Sequence, residues 1–241
     1  MKLNIQKSLL LIALILGHTS VSIASVLYFE DDTIGTSSVP GALTLSGLDV
    51  QTTTVTSVAD FNTQLASQSW DLVILGEQNN NIFSSISGLD TYLGNGGSIL
   101  GTTWLDNSGL SALLGASGRS GTNGTNIAID SHPIFAGLSS PLMLANPGWG
   151  IFSSSWIASS SSQCLGTLGS GCAVVEGNSG NSLLLSGLFD TYDVSDGNIL
   201  LSNSINYLLN GATGPVSVSE PGTLILITLA MAGFFTRRMR S

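Results

Sequence analysis

The chain has 241 residues, of which 43% are hydrophobic and only 9% are charged, and its formal net charge is −9. Five of the six basic residues lie within the first seven or the last five positions: Lys2, Lys7, Arg237, Arg238 and Arg240. Residues 25–219 therefore combine one arginine, Arg119, with 14 acidic residues, a net charge of −13. A single arginine cannot form a groove for phosphate groups, which excludes nucleic acid as a partner.

Residues 1–24 have the pattern of a secretory signal peptide. Lys2 and Lys7 give a positive start, residues 9–16 are an unbroken apolar stretch, and residues 22–24 (SIA) form a small-x-small cleavage site. As a helix the apolar stretch spans roughly 12 Å, too short for a hydrocarbon layer of about 30 Å. We predict that signal peptidase cuts after Ala24, so that the mature chain begins at Ser25.

The next 90 residues alternate short apolar runs with helical patterns. Strands are predicted at residues 26–29, 50–55, 71–76 and 98–102. Helices are predicted at residues 40–48, from residue 58 behind a Ser57–Asp60 capping box, around residues 86–93 and around residues 110–114. Continuous apolar strands are typical of sheets buried on both faces, and this alternation predicts βαβ units around a mainly parallel sheet.

The later part of the body has a different composition, rich in glycine and serine. Residues 173–176 and 183–189 are predicted to pair as a β-hairpin, and the serine tracts at 153–155 and 159–162 are predicted to be exposed loops. A last helix is predicted from about residue 197 to residue 209, with Asp196 as its N-cap. Trp149 and Trp156 are either exposed platforms or core anchors.

Cys164 and Cys172 are the only cysteines of the chain. An exported protein meets an oxidising compartment, and an even number of cysteines favours a disulfide bond between them. The alternative, a catalytic or metal-binding thiol, needs partners, whereas the body has a single histidine, His132. The sequence His132-Pro133 predicts a turn in which the imidazole ring caps a neighbouring backbone group.

The C-terminal end has the pattern of a second sorting signal. Residues 211–219 are a linker of small residues, and Glu220-Pro221, an apolar run at 222–235 and the cluster Arg237, Arg238 and Arg240 follow it. The run spans roughly 21 Å as a helix, short for a membrane span unless the bilayer thins and the arginines snorkel. The positive-inside rule would keep this cluster cytoplasmic and the acidic body outside.

Together with the signal peptide, residues 220–241 resemble the PEP-CTERM sorting signal of Gram-negative bacteria. Ser219 departs from the pattern, because the family usually has proline there. The resemblance implies that exosortase recognises the signal and removes the tail, and that export is linked to exopolysaccharide. It implies tethering to the inner membrane through the hydrophobic helix, followed by release to the cell envelope or the extracellular space, with extracellular polysaccharide as a further partner.

Residues 25–210 resemble the class I glutamine amidotransferase-like superfamily, which implies an α/β, flavodoxin-like, doubly wound fold. The segments that carry the resemblance are 89–101, 130–137 and 197–208. In the catalytic branches a cysteine follows the strand matched here by residues 98–102, but Thr103 occupies that position. No histidine followed by an acid two residues later is present either, so the resemblance predicts a domain without catalytic residues.

A crevice is expected at the carboxyl ends of the parallel strands. The residues expected to line it are Glu30, Asp31, Asp32, Glu77, Thr103 and Trp104, with Thr102, Asp106, Asp190 and Asp193 nearby. Their oxygen atoms suit Ca²⁺, Mg²⁺ or sugar hydroxyls, and Trp104 can stack on a sugar ring. The alternative is that the carboxylates are solvated or cap helices and that Trp104 lies in the core. The triplet Asp190, Asp193 and Asp196 resembles a calcium loop only faintly, because its spacing is not that of an EF-hand.

Three functions agree with these patterns. The first is a non-catalytic, exosortase-sorted protein of the envelope or the extracellular matrix that needs no cofactor. The second is a hydrolase or lyase that cleaves polysaccharide with paired carboxylates of the crevice. The third is a module that binds carbohydrate or calcium.

Overall fold

The computed structural model describes residues 24–78, 80–105, 109–144 and 153–211. The strands are β1 (Val26–Glu30), β2 (Thr52–Val55), β3 (Leu72–Glu77), β4 (Ser98–Thr103), β5 (Ala116–Thr122), β6 (Asn126–Ala128), β7 (Leu142–Met143), β8 (Ser154–Ala158), β9 (Gln163–Leu168), β10 (Gly171–Gly177) and β11 (Ser182–Leu185). The helices are α1 (Val39–Leu45), α2 (Val58–Ser67), α3 (Leu89–Gly94), α4 (Gly109–Leu113) and α5 (Val194–Asn210). The predicted signal peptide, Asp106, Trp149, the linker and the C-terminal apolar run lie wholly or almost wholly outside these ranges.

Five strands form the parallel part of the sheet, in the order β2-β1-β3-β4-β11. Antiparallel strands extend it through β10, β9, β6 and β7, and β8 pairs with β10 and β5. The order of the parallel part is that of doubly wound flavodoxin-like sheets. The predicted α/β fold class is therefore confirmed, and so is the late hairpin, formed by β10 and β11.

Helices cover both faces of the parallel part. On one face, α1 and α5 pack on alternate strand residues such as Ile74 and Leu100. On the other face, α2, α3 and α4 pack on the intervening residues such as Val73 and Ile99. Because successive strand residues point to opposite faces, a side chain's position along its strand decides which of the two layers it meets.

Several local predictions are confirmed. Ser57 is the N-cap of α2: its hydroxyl accepts the N–H of Asp60 (3.1 Å), which is the first bond of a capping box, and it donates to the Asp60 carboxylate (2.7 Å). Nδ1 of His132 accepts the N–H of Ile134 (3.4 Å) at the start of a short 3₁₀ turn. Cys164 and Cys172 form a disulfide bond, which joins the paired strands β9 and β10.

Two local predictions need correction, and one open alternative is resolved. The last helix begins at Val194, because the carboxylate of Asp193, and not that of Asp196, accepts the N–H of Ser195 (3.1 Å). The serines at 153–155 are buried, and two of them belong to β8, whereas they were expected in an exposed loop. Their small side chains let β8 lie close over β10: a Cβ atom on Gly171 would sit 2.8 Å from the carbonyl oxygen of Trp156. Of the two alternatives for Trp156, the structure selects the core, where this side chain is 1% exposed.

Both ends of the described domain leave from the amino edge of the parallel strands. Ser25 lies beside β3, where its N–H donates to the Asp71 carboxylate (2.7 Å) and its carbonyl oxygen accepts the N–H of Leu72 (3.2 Å). The end of α5 lies beside β4, because the Ser98 hydroxyl donates to the carbonyl oxygen of Leu208 (3.3 Å). Within the described residues, no helix combines the length and the apolar character that crossing a membrane requires.

Candidate functional site

Three of the predicted site residues end neighbouring parallel strands at the carboxyl edge of the sheet. Glu30 is the last residue of β1, Glu77 the last of β3 and Thr103 the last of β4. The strands β1 and β3 flank the point at which the strand order reverses, where open α/β sheets bind their ligands. These three residues therefore lie at the edge of the sheet that the sequence predicted for them.

The sheet separates these residues onto its two faces. Glu30 is paired with Gly76, so Glu77 lies one residue further along and points to the opposite face. A Cβ atom on Gly76 would lie 2.9 Å from Cγ of Glu30 and 3.1 Å from the Phe189 ring, which places both side chains over that glycine. The predicted acidic crevice is thus two separate clusters, one on each face.

The first cluster joins Glu77 to Thr103 beside α4, and both residues are fully buried. The Thr103 hydroxyl donates to Oε2 of Glu77 (2.8 Å) and accepts the N–H of Leu105 (3.1 Å). Oε1 of Glu77 accepts the N–H of Phe83 (3.1 Å). The hydroxyl proton of Thr103 is therefore committed to a carboxylate, and that carboxylate holds the loops after β3 and β4 together.

Trp104, the next residue, is half-buried and fixed from two sides. Its indole N–H donates to the carbonyl oxygen of Gln78. Its own carbonyl oxygen accepts hydrogen bonds from Nη1 of Arg119 (3.1 Å) and from the Ser154 hydroxyl (3.1 Å). The one arginine of the body therefore supports the turn after β4.

The second cluster surrounds Glu30 on the face of α1 and α5. The Tyr28 hydroxyl donates to Glu30 and lies 3.2 Å from the Ser37 hydroxyl. Burial raises the pKa of Glu30 to about 7, and the charges of Asp190 and Asp32 add to this rise, while the hydrogen bonds from Tyr28 and Ser37 oppose it. Burial also raises the pKa of Tyr28. Glu30 is thus a carboxyl group that changes charge near neutral pH.

Asp190 completes this second cluster. It is 4% exposed, and its Oδ2 accepts the N–H groups of Ile34 (2.7 Å) and Gly35 (3.1 Å) from the loop after β1. Its Oδ1 is buried and lacks a hydrogen-bond partner in the described part of the chain. The same holds for both amide atoms of Gln78, a residue 2% exposed at the end of β3. Buried polar atoms of this kind are rare in folded proteins and are usually bonded to water or a ligand.

The remaining predicted acids do not join either cluster as ligands. Asp31 links two loops, because its carboxylate accepts the backbone N–H (2.7 Å) and the side-chain amide (2.8 Å) of Asn80. Asp32 is exposed and accepts the N–H of Thr33 (2.9 Å). Asp190, Asp193 and Asp196 do not converge as a calcium loop would, and the described residues contain no group of three or more His, Cys, Asp or Glu side chains placed to share a metal ion.

Sequence reasoning missed Tyr28 and Gln78. Tyr28 belongs to the apolar run of β1, where a tyrosine is typical of a buried strand. Nothing in the sequence of this strand indicates that the Tyr28 hydroxyl donates to Glu30. Gln78 follows the run of β3, and a single amide after a strand is common. Only the burial of both side chains distinguishes them, and burial depends on tertiary packing.

His132, the only histidine in the ranges that the structure describes, lies at the other end of the sheet from Thr103. It lines a cavity with Ser179 and Gly180, which belong to the short turn between β10 and β11. The first residue of β11, Ser182, is paired with Ile99, whereas Thr103 lies four residues further along β4. At about 3.3 Å per residue this separation is roughly 13 Å along the strand, too far for a hydrogen bond between the two side chains.

Comparisons with known proteins agree with this fold. A glutamine amidotransferase from Thermotoga maritima is similar to the chain with a TM-score of 0.57 and 12% identity, over 78% of this chain and 99% of its own. The crystal structure of SMU.1228c is similar with a TM-score of 0.53 and 11% identity, over 76% of this chain and 99% of its own. At these identities the likeness shows the fold alone: an α/β domain of the glutamine amidotransferase-like type.

The C-terminal end supplies the second part of the classification. Residues 217–240 match the family described as the PEP-CTERM protein-sorting motif. The predicted sorting signal is therefore confirmed, and the motif indicates an exported protein that exosortase processes. No curated protein matches the chain.

Proposed function

We propose that the protein is an exported, exosortase-sorted component of the cell envelope or the extracellular matrix, and that its amidotransferase-like domain binds a ligand and does not catalyse. The observation that carries the second part is the hydrogen bond between Thr103 and Glu77. In the catalytic branches that the body resembles, this position holds the nucleophile. Here the hydroxyl donates its proton to one oxygen of a fully buried carboxylate, whose other oxygen accepts the backbone N–H of Phe83 in the neighbouring loop.

To act as a nucleophile, Thr103 would need a general base that takes its hydroxyl proton while the oxygen attacks a substrate. His132 lies at the amino edge of the sheet, and the acid beside Thr103 already bridges two loops. The ends of the domain support the same role. Because the described domain begins and ends at the amino edge, the carboxyl edge with Glu30, Asp190 and Gln78 lies at the opposite end of the sheet from both of its attachment points. This edge is therefore the proposed place for a ligand, with Ca²⁺ and neutral sugars as the predicted classes.

Sorting is tested with the tail itself. In a host that carries exosortase, the double variant Glu220→Ala/Pro221→Ala is expected to stay full length in the membrane fraction, whereas the wild-type chain loses its tail and reaches the cell surface or the medium. The physical reason is that the double variant removes both the carboxylate of Glu220 and the restricted φ of Pro221, the two features that distinguish the motif. The measurement is intact mass spectrometry of each fraction.

Two further strains make this test decisive. Deletion of exosortase is expected to reproduce the variant's phenotype with the wild-type chain, while Ser219→Pro restores the usual family residue and is expected to leave processing intact or faster. Equal release of the wild type and the double variant would disprove exosortase sorting through this motif.

A second candidate function is a hydrolase or lyase that acts on polysaccharide. One observation favours it: the pKa of Glu30, raised to about 7 by burial, is that of a general acid beside a second carboxylate, Asp190. Purified full-length protein would then release reducing ends from soluble polysaccharides below about pH 7. Glu30→Gln would lower the rate of this release by at least about a hundredfold. Undetectable release by the wild type between pH 5 and 8 would favour the non-catalytic proposal.

A further inference from the structure

A polar cavity of about 550 Å³ lies at the amino edge of the sheet, away from the candidate site. It is formed between β9, β10, the turn before β11, and α5. Its polar lining includes His132, Ser161, Gln163, Glu176, Ser179 and Tyr207. The volume is within the range of about 300–1,000 Å³ that is usual for small-molecule sites.

Glu176 is the charged group of this cavity, and it is only 8% exposed. It is paired across the sheet with Gln163, so both side chains point to the face of α5. The Tyr207 hydroxyl donates to Oε1 of Glu176. No Lys or Arg side chain pairs with Glu176 in the described residues, where Arg119 is the only such residue and donates to the carbonyl oxygen of Trp104.

A buried carboxylate without a cationic partner is costly unless something compensates its charge. One hydrogen bond from a phenol compensates it in part and leaves lone pairs of Glu176 directed at the cavity. The exported part of the chain, at −13, attracts cations to this surface and repels anions.

The rest of the lining favours an organic cation over a bare metal ion. The described residues offer no set of three metal-binding side chains here. They offer instead the ring of Tyr207, whose centroid is 4.8 Å from that of His132 in an edge-to-face arrangement, together with the amide of Gln163 and two serine hydroxyls. An aromatic ring beside a carboxylate, with polar acceptors around them, is the chemistry that holds an ammonium group.

We infer that this cavity is a binding site for a protonated aliphatic amine, whose ammonium group is held by Glu176 and whose methylene groups lie against Tyr207. The backbone beside the cavity turns tightly. Asn178, Ser179 and Gly180 all have a positive φ (52°, 57° and 92°), a conformation that favours glycine at position 180. A Cβ atom on Gly180 would lie in van der Waals contact with Oε1 of Glu176 (3.4 Å), so this turn borders the carboxylate closely.

The test is isothermal titration calorimetry of the purified full-length protein at pH 7.5 with 1,4-diaminobutane and, as an uncharged isostere, 1,4-butanediol. Binding of the diamine and no measurable binding of the diol are expected. Glu176→Gln keeps the shape of the side chain and removes its charge, and it is expected to lower the affinity for the diamine by at least about tenfold. Tyr207→Phe removes the hydroxyl that donates to Glu176, and it is expected to lower the affinity for the diamine by about threefold.

The control for non-specific attraction to an acidic protein is Asp49→Asn. It removes the same charge from an exposed residue in the short 3₁₀ turn after α1 and is expected to change the affinity by less than about twofold. Equal binding of the diol, equal weakening by Asp49→Asn and Glu176→Gln, or no binding of the diamine at millimolar concentration would overturn the inference. These outcomes leave the proposed function untouched, because that function depends on the opposite edge and on the tail.

Discussion

Replacement of Glu77 by alanine is expected to lower the free energy of unfolding by about 2–4 kcal/mol. The variant removes the acceptor of two hydrogen bonds inside the protein, those from the Thr103 hydroxyl and from the Phe83 backbone. The Thr103 hydroxyl stays buried and the Phe83 N–H is partly buried, and an unpaired buried donor costs about 1–3 kcal/mol. The loss of a buried negative charge offsets part of this cost, so the expected value lies below the sum of the two largest penalties.

Two conservative variants separate the hydrogen bonds from the volume. Glu77→Gln keeps one oxygen for the Phe83 N–H and is expected to lower the free energy of unfolding by about 1 kcal/mol. Thr103→Ser keeps the hydroxyl and is expected to lower it by about the same amount. Thr103→Val removes the hydroxyl at nearly constant volume and leaves Oε2 of Glu77 without its donor. Urea unfolding of the four variants and of the double variant Glu77→Ala/Thr103→Val gives the coupling energy between the two side chains.

The outcome also bears on function. A coupling of about 1 kcal/mol or more would show that Thr103 and Glu77 stabilise the fold together, which the proposed non-catalytic role requires. A value near zero, with Glu77→Ala as stable as the wild type, would contradict the assigned network. It would leave the Thr103 hydroxyl available for chemistry.

Much of the fold could be predicted from the sequence because its signals are local. The apolar runs of β1, β3 and β4 end at Glu30, Glu77 and Thr103, and parallel strands bring their carboxyl ends to one edge. The sequence could not show how the two acids are divided between the faces. That division depends on the pairing of Glu30 with Gly76, and a shift of one residue in this pairing would have put Glu30 and Glu77 on the same face.

Apart from the hairpin of β10 and β11, the strands of the glycine- and serine-rich part could not be predicted, for a different reason. Segments such as β5 (ASGRSGT) and β8 (SSWIA) have few of the β-branched residues that indicate strands. They are strands because close packing requires small residues there, as at Gly171, where a Cβ atom would collide with the backbone of β8. The cavity beside Glu176 depends on this same region, so its residues gave no functional signal in the sequence.

Replacement of Glu30 by glutamine is expected to stabilise the protein above neutral pH and to have little effect at pH 4. Burial raises the pKa of Glu30 from 4.5 to about 7 on folding, so the folded state holds this proton more tightly than the unfolded chain does. Below pH 4.5 the group is protonated in both states. Between about pH 4.5 and 7 only the unfolded chain ionises, and wild-type stability therefore falls; above pH 7 the loss is complete.

The size and the origin of this effect can both be measured. A shift of this size corresponds to about 3 kcal/mol, and since Glu30 is only half-buried, solvent screening reduces the expected difference between Glu30→Gln and the wild type at pH 8 to about 1–2 kcal/mol. Urea unfolding at intervals from pH 4 to 9 gives the difference, and ¹³C NMR of the carboxyl group gives the pKa of Glu30 directly. Because the hydrogen bond from Tyr28 lowers that pKa, Tyr28→Phe is expected to move the upper end of the window above pH 7. If the difference in unfolding free energy between Glu30→Gln and the wild type is constant across this range, Glu30 has the same pKa in the folded and unfolded states. The second candidate function would then have no general acid at this position.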